Sequence, residues 1–198
     1  MGPILWLDVE TTGLSQDRHG IVSLSVIADF DSQEVGSQTF YMNPVGREIE
    51  ESALAVNGFT REQIAAFPDW IDVWRDFQGW LLATFTRAYV PVPTGGFNHV
   101  SFDARFIRSW ASAAGGSTDE VLRIEDRLDV MKLVKGDTSG RFDSLPSKKL
   151  TAVAEFLGIA LDVAHTADGD VRATREAFYK VKIMDATSPD ESVAEAPT

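Results

Sequence analysis

Two carboxylates stand two residues apart in an otherwise apolar run, Ile4-Leu-Trp-Leu-Asp8-Val-Glu10-Thr11-Thr12-Gly13-Leu14. Side chains two apart on a strand share a face, so Asp8 and Glu10 project together while Leu7 and Val9 pack on the other side. Two acids that close repel unless a proton or a cation sits between them. Carboxylate oxygens suit hard divalent cations, and a shared metal keeps both acids ionised at neutral pH. A strand that merely frays into solvent at Asp8 is the plainer alternative. Two later segments bear on the choice. Asp103 follows Gly96-Phe97-Asn98-His99-Val100-Ser101-Phe102, and His165 precedes Asp168 and Asp170. Alone, Asp103 is an acid favoured at a helix start, Asn98 a turn residue, and His165 a surface or capping histidine. On one regular helix His165 and Asp170 would point about 140° apart. They converge only if His165 lies on a loop and Asp170 in the first turn that follows, a break that Gly169 permits.

The elements that must position these residues are visible as periodicities. Ile21 to Phe30 alternates as a second strand, Asp31 to Gly36 is a turn, and Val35 to Met42 returns as a third, giving an antiparallel meander whose first member carries the acids. Ser52 to Phe67 holds short helical turns, with Thr60 and Gln63 spaced as a cap. Trp70, Val73, Trp74, Phe77 and Leu81 mark the core side of a helix from Trp70 to Phe85. Tyr89 to Pro93 reads as a fourth strand, Ser101 to Ala114 as a helix, and Arg127 to Leu133 as a fifth strand. Gly136 to Pro146 is a flexible connection, and Lys149 to Leu157 and Val171 to Lys182 are the last helices. Strands first, then helices interleaved with strands, predict an α/β fold with a mixed sheet covered on both faces.

The chain of 198 residues has the length of one domain with a tail, and 44% apolar residues suit a globular core. Without cysteine, thiolate metal sites and disulfides are excluded. No basic-then-apolar leader opens the sequence and no run reaches membrane-spanning length, so a cytoplasmic setting away from membranes is the expectation. The net charge of −12 argues at first against a phosphate-rich partner. Residues 185–198, however, have the composition of a disordered acidic tail, leaving 1–184 as the folded domain. With that tail removed and two divalent cations bound to four acids, the body falls to about −4. Nucleic acid is then permitted as a partner, through a chain end rather than a long duplex.

In order and spacing, Asp8-Val-Glu10-Thr-Thr-Gly13, Asn98 to Asp103, and His165 to Asp170 with Ala173-Thr174 resemble the three motifs of the DEDD superfamily of 3′–5′ exonucleases. The histidine is similar to that of the DEDDh subgroup, which includes the proofreading epsilon subunit of bacterial DNA polymerase III and ribonuclease T. The likeness covers about residues 4 to 181, with Ala53 to Thr60 and Ser144 to Ile159 as further matching segments. Asn57 stands where the family often has histidine, and Ser23 where it often has an acid.

The resemblance implies a ribonuclease H-like fold with a central five-stranded sheet. It implies that Asp8, Glu10, Asp103 and Asp170 hold two divalent cations, Mg²⁺ with Mn²⁺ as substitute, and that His165 is the general base, ahead of His99. Asp170 is placed ahead of Asp168 as ligand. Thr11, Thr12, Gly13, Leu14, Asn57, Asn98 and Phe102 are the implied contacts to the terminal nucleotide. The implied reaction releases nucleoside 5′-monophosphates from the 3′ end of single-stranded or frayed DNA, in proofreading or end trimming. RNA 3′-end trimming, a phosphodiesterase for small nucleotides and a non-catalytic nucleic-acid-binding module are the alternatives. A polymerase or a second copy of the chain is left open as a partner.

Overall fold

The computed structural model describes residues 2–161 and 166–187. β1 (Ile4–Thr11), β2 (Ile21–Phe30) and β3 (Gln33–Tyr41) form the expected antiparallel meander. On its other edge β1 pairs in parallel with β4 (Val92–Gly96), and β4 with β5 (Leu122–Asp129), giving the order β3-β2-β1-β4-β5. The expected mixed five-stranded sheet is therefore present. β1 and β2 are largely buried on both faces, whereas β3 lies at an edge and is largely exposed. Asp31 and Ser32, at φ 50° and 67°, make a two-residue turn between Phe30 and Gln33. Two positive φ values in succession match the twist of the flanking strands. The turn is shorter than the Asp31 to Gly36 expectation, and Gly36 belongs to β3.

Beyond the meander come α1 (Glu51–Asn57), α2 (Arg61–Ala66) and α3 (Trp70–Thr84). Thr60 closes a capping box with Gln63 ahead of α2, as its spacing predicts. α4 (Asp103–Ala113) precedes β5, and α5 (Val130–Gly136), α6 (Leu150–Phe156) and α7 (Ala167–Thr187) follow it. Alternation along β1 divides the core. Leu5, Leu7 and Val9 pack with Trp70, Trp74, Phe77 and Leu81 of α3 and with Phe106 and Trp110 of α4. Trp6 on the opposite face packs with Val130, Val153, Val171 and Phe178 of α5, α6 and α7. Asp8 and Glu10 continue the Trp6 face, toward α7.

Three boundaries differ from the sequence expectation. β4 occupies Val92–Gly96 rather than Tyr89 to Pro93, because Gly95 and Gly96 let two neighbours approach the strand closely. A Cβ on Gly95 would lie 2.4 Å from the Trp6 ring, and one on Gly96 2.8 Å from the Leu7 carbonyl. β5 occupies Leu122–Asp129 rather than Arg127 to Leu133, since Asp129 accepts the Lys132 N–H at 3.3 Å and starts a helix there. α7 begins at Ala167 instead of Val171 and runs to Thr187, so Asp185 to Thr187, assigned from sequence to the tail, are helical. The Gly136 to Pro146 connection is also anchored: Phe142 is buried, and Arg141 bridges Asp137 at 2.5 Å and Asp185 at 2.7 Å. No helix among the described residues is long and apolar enough to cross a membrane.

α7 is held to the sheet by a buried acid. Asp29 of β2, with no exposed surface, accepts hydrogen bonds from Trp6 Nε1 at 2.9 Å, Arg175 Nε at 2.9 Å and Tyr179 Oη at 2.6 Å. One carboxylate thereby joins β1, β2 and the helix that carries Asp170. Removing it strands a guanidinium that is only 23% exposed. Asp29→Ala is expected to lower the unfolding free energy by about 3 kcal/mol, measured by urea denaturation followed by circular dichroism.

Candidate metal centre

β1 and β4 pair only at Leu5↔Thr94 and Trp6↔Gly95. Past Trp6 the two strands part, which leaves the Val9 N–H without a strand partner on that side. Asp103, the first residue of α4, fills the gap: its Oδ1 accepts the Val9 N–H at 3.0 Å. The chain reaches α4 through a turn in which Asn98 takes a left-handed φ of 61° and its carbonyl accepts the N–H groups of Ser101 and Phe102. That turn rests on Asp129, fully buried, which accepts the Asn98 N–H at 3.0 Å and the Val100 N–H at 3.3 Å.

Asp8, Glu10 and Asp170 each place a carboxylate oxygen within 4.8 Å of the others. Asp8 and Glu10 come from the same face of β1, opposite Ser25 and Ser23 of β2. Asp170 comes from the first turn of α7, where the helix dipole favours an acid. Thr166, directly before that helix, accepts the Gly169 N–H with its hydroxyl at 3.2 Å. Asp103 lies outside this mutual group, yet its charge reaches both strand acids. Asp8 is pushed well above the usual carboxylate range by burial, then by repulsion from Asp103, Asp170 and Glu10. Glu10 is raised to about 7 by burial and by the charges of Asp170 and Asp103. Burial likewise raises Asp103 to about 7, against the opposing effect of the Val9 hydrogen bond. A site that crowds like charges in this way, with oxygen donors only, fits a hard divalent cation.

The remaining sequence-predicted residues divide by what they touch. Asp168 is exposed and takes an Arg172 hydrogen bond at 3.1 Å; it lines the hollow beside Glu10 without belonging to the three-acid group. His99 is buried, with Nδ1 3.7 Å from Asp129, and desolvation lowers its pKa to about 4. His165 lies outside the described residues. The Thr11 hydroxyl donates to the Gly13 carbonyl at 2.7 Å, and the Thr12 hydroxyl donates to the Glu48 carbonyl at 2.6 Å. The first bond braces the loop after β1 from within, and the second ties it to the segment before α1. Asn57 binds the Thr11 carbonyl at 3.1 Å and lines a small hollow of about 90 Å³ beside Glu10, with Ser23, Ser25 and Phe59. Leu14 is 80% exposed, and Phe102 is half-buried against Phe106. A larger hollow bordered by Pro3, Tyr89 and Arg127 lies at the start of β1, the end remote from the acids.

Three residues that the sequence reading passed over complete the frame: Asp29, Asp129 and His19. His19 is buried over Gly13, where a Cβ would lie 2.6 Å from the imidazole. Its Nδ1 accepts the Ser15 N–H at 3.1 Å, and Nε2 lies 3.1 Å from Glu50 Oε1, which shapes the loop from Gly13 to Gly20. For Asp129 a signal existed, an acid directly before the periodic run Val130 to Val134.

The exonuclease family model matches residues 5–178. The chain belongs to the exonuclease family. Among curated relatives, a DNA polymerase III subunit epsilon-like protein of Rhodobacter capsulatus is 29% identical over 179 residues, which cover 88% of this chain and 23% of that protein. A PolC-type DNA polymerase III of Caldanaerobacter subterraneus subsp. tengcongensis is 25% identical, over 91% of this chain and 12% of that protein. The exonuclease chain thus spans at most about a quarter of the length of these relatives. Among solved structures, Escherichia coli exonuclease I in its zinc-bound complex with single-stranded DNA superposes with a TM-score of 0.76 at 21% identity, over 94% of this chain and 42% of that one. The sheet and its helices share that ribonuclease H-like fold, and the resemblance to the DEDD exonucleases holds.

The raised carboxylates give the exonuclease chain a pH signature. Glu10 has a folded pKa of about 7 against an ordinary 4.5, so between these values the folded state binds more protons than the unfolded one. Stability without metal therefore declines as pH rises through that window and levels off above it. In chelator the melting temperature should fall between pH 5 and 7.5. Excess Mg²⁺ should raise it more at pH 7.5 than at pH 5, and Glu10→Gln should flatten the dependence; differential scanning calorimetry reads all three.

Proposed function

We propose that the chain is a metal-dependent 3′–5′ exonuclease that releases nucleoside 5′-monophosphates from single-stranded or frayed DNA ends, in proofreading or end trimming. The observation that carries the reading is the convergence of Asp8, Glu10 and Asp170 within 4.8 Å, with Asp103 electrostatically coupled to them, in a member of the exonuclease family.

Asp8, Glu10, Asp103 and Asp170 would hold a pair of divalent cations, with Mg²⁺ as the natural occupant. Such a pair supplies charge neutralisation for the phosphoryl oxygens and lowers the pKa of water. The protein's own contribution is positional. β1 presents two acids from one rigid face, α4 brings a third across the parting of β1 and β4, and α7 adds the fourth. His165, by family resemblance the general base, takes the proton of the attacking water, a transfer suited to an imidazole. His99 is unsuited to the role, because it is buried and its pKa is lowered to about 4.

Recognition of the terminus falls to apolar surface and backbone. Leu14 projects into solvent from the loop after β1, and Phe102 sits directly before Asp103. The last bases would lie against these two side chains, since aromatic and apolar surfaces accept any base face. With both threonine hydroxyls engaged by protein carbonyls, the sugar would be met by backbone groups near Gly13. A polymerase partner is part of the proposal, suggested by the names of the two relatives.

A 5′-labelled single-stranded DNA incubated with Mg²⁺ should give a ladder of shortened products on a denaturing gel, and Asp8→Ala should abolish it. His165→Ala should lower kcat by about 10²–10⁴-fold. Binding without shortening by the wild type would instead make the chain a nucleic-acid-binding module. Faster digestion of a matched RNA would reassign the substrate.

A further inference from the structure

An open hollow of about 540 Å³ lies between the exposed face of α4 and the loop that follows β1. Arg47, Arg105 and Arg108 line it, together with Ser109 and Ser112. The concentration of arginine is unusual for this chain. Eight of its twelve arginines form ion pairs with acids of the described residues. Three of the four that do not are in this hollow; Arg87, in the turn before β4, is the fourth. Asp17 is the single acid in the lining, and its carboxylate accepts from Gln16 at 3.2 Å. In a protein of net charge −12, a local surplus of cations marks a place where an anion is expected.

The hollow is built into the frame of the catalytic face. Arg47 donates to the Asp17 carbonyl at 2.8 Å and to Ser109 Oγ at 3.1 Å, and stacks 5.0 Å from the Trp70 ring. Ser109 in turn donates to the Gln16 carbonyl at 3.1 Å. The loop that exposes Leu14 is therefore latched to α4. Arg105 and Arg108 are exposed on that helix two and five residues after Asp103, about 3 and 7.5 Å further along its axis. Gln16 and Asp17, two and three residues after Leu14, and Arg105, three residues after Phe102, line the hollow, so a strand whose last bases rest against Leu14 and Phe102 would meet it with its preceding phosphates.

We propose that the Arg105–Arg108 face of α4, braced by Arg47, is a track for the backbone phosphates that precede the scissile bond of a single strand. The inference rests on the exonuclease reading above and adds to it a surface outside the acid cluster. Phosphate contacts of this kind carry no sequence information, and they make affinity depend on salt.

The test uses Arg105→Gln/Arg108→Gln in the full chain, with Arg87→Gln and Arg105→Lys/Arg108→Lys as controls. Each is combined with Asp8→Ala so that binding of a labelled 12-nucleotide single strand is read by fluorescence anisotropy without cleavage. Loss of two phosphate contacts should make the slope of log affinity against log salt shallower by about 1.4, so that raising salt from 50 to 200 mM costs the glutamine variant about sevenfold less affinity than its parent. Arg87→Gln should leave the slope unchanged, and the lysine variant should keep most of it. With Asp8 restored, the glutamine variant should raise KM for the 12-mer and leave kcat for a dinucleotide as it was. An unchanged slope in the glutamine variant overturns the track even if the wild type digests DNA. A reduced slope in a chain that never shortens DNA leaves the track standing and overturns the exonuclease reading, and failure of the parent to bind overturns both.

Discussion

Repulsion among acids at the end of β1 is the constraint to which the surrounding structure answers. Burial raises Asp8, Glu10 and Asp103, and the charges of Asp103 and Asp170 raise the two strand acids further, so the fold holds them near one another against their own electrostatics. It does so with apolar packing on one face of β1 and a polar clamp on the other. Leu5, Leu7 and Val9 lock the strand to α3 and α4, while Asp29 fastens α7 to β1 and β2 through Trp6, Arg175 and Tyr179. The acids that would meet cations and the acid that satisfies protein donors thus perform opposite tasks. Asp29 and Asp129 are fully buried and saturated by neighbours; Asp8, Glu10 and Asp170 are partly open and grouped.

Much of this frame was legible in the sequence because it is local. Two acids at an interval of two in an apolar run share a face of β1, and the polar turn ahead of Asp103 marks the start of α4. Gly169 suggested a break before the last helix, but it lies inside α7, which begins at Ala167; Asp170 does stand in the first turn. The parts that escaped are those decided at a distance. Pro91, Pro93, Gly95 and Gly96 look like strand breakers, and only the Trp6 ring arriving from β1 gives the glycines their reason. Asp29 resembles a strand ending; its partner Arg175 is 146 positions away. The charged run from Arg123 to Arg127 conceals β5, since an edge strand can afford charges on both sides. Thr11 and Thr12 read as ligand contacts by type, and the distant bond of the Thr12 hydroxyl to the Glu48 carbonyl was not visible in the sequence.

Charge is distributed as unevenly as the acids are placed. Most arginines are spent on carboxylates of their own surroundings, which holds the surface together and leaves little positive field over the body. The exposed side of α4 departs from that rule, and the same helix opens with Asp103. One short element therefore joins the anionic end of the sheet to a cationic flank, with Ser109 and Arg47 tying it to the loop after β1.

The order of these parts along the chain matters during synthesis. β1 emerges from the ribosome early, but Asp170 and the Asp29-binding residues of α7 follow some 160 positions later. At translation rates of about 5–20 residues per second, that leaves a nascent chain without a complete acid cluster for roughly 8 to 32 seconds. Until α7 docks, Asp8 and Glu10 lack the third carboxylate of their group. A helix synthesised long after β1 is in this sense the one that completes the acid group.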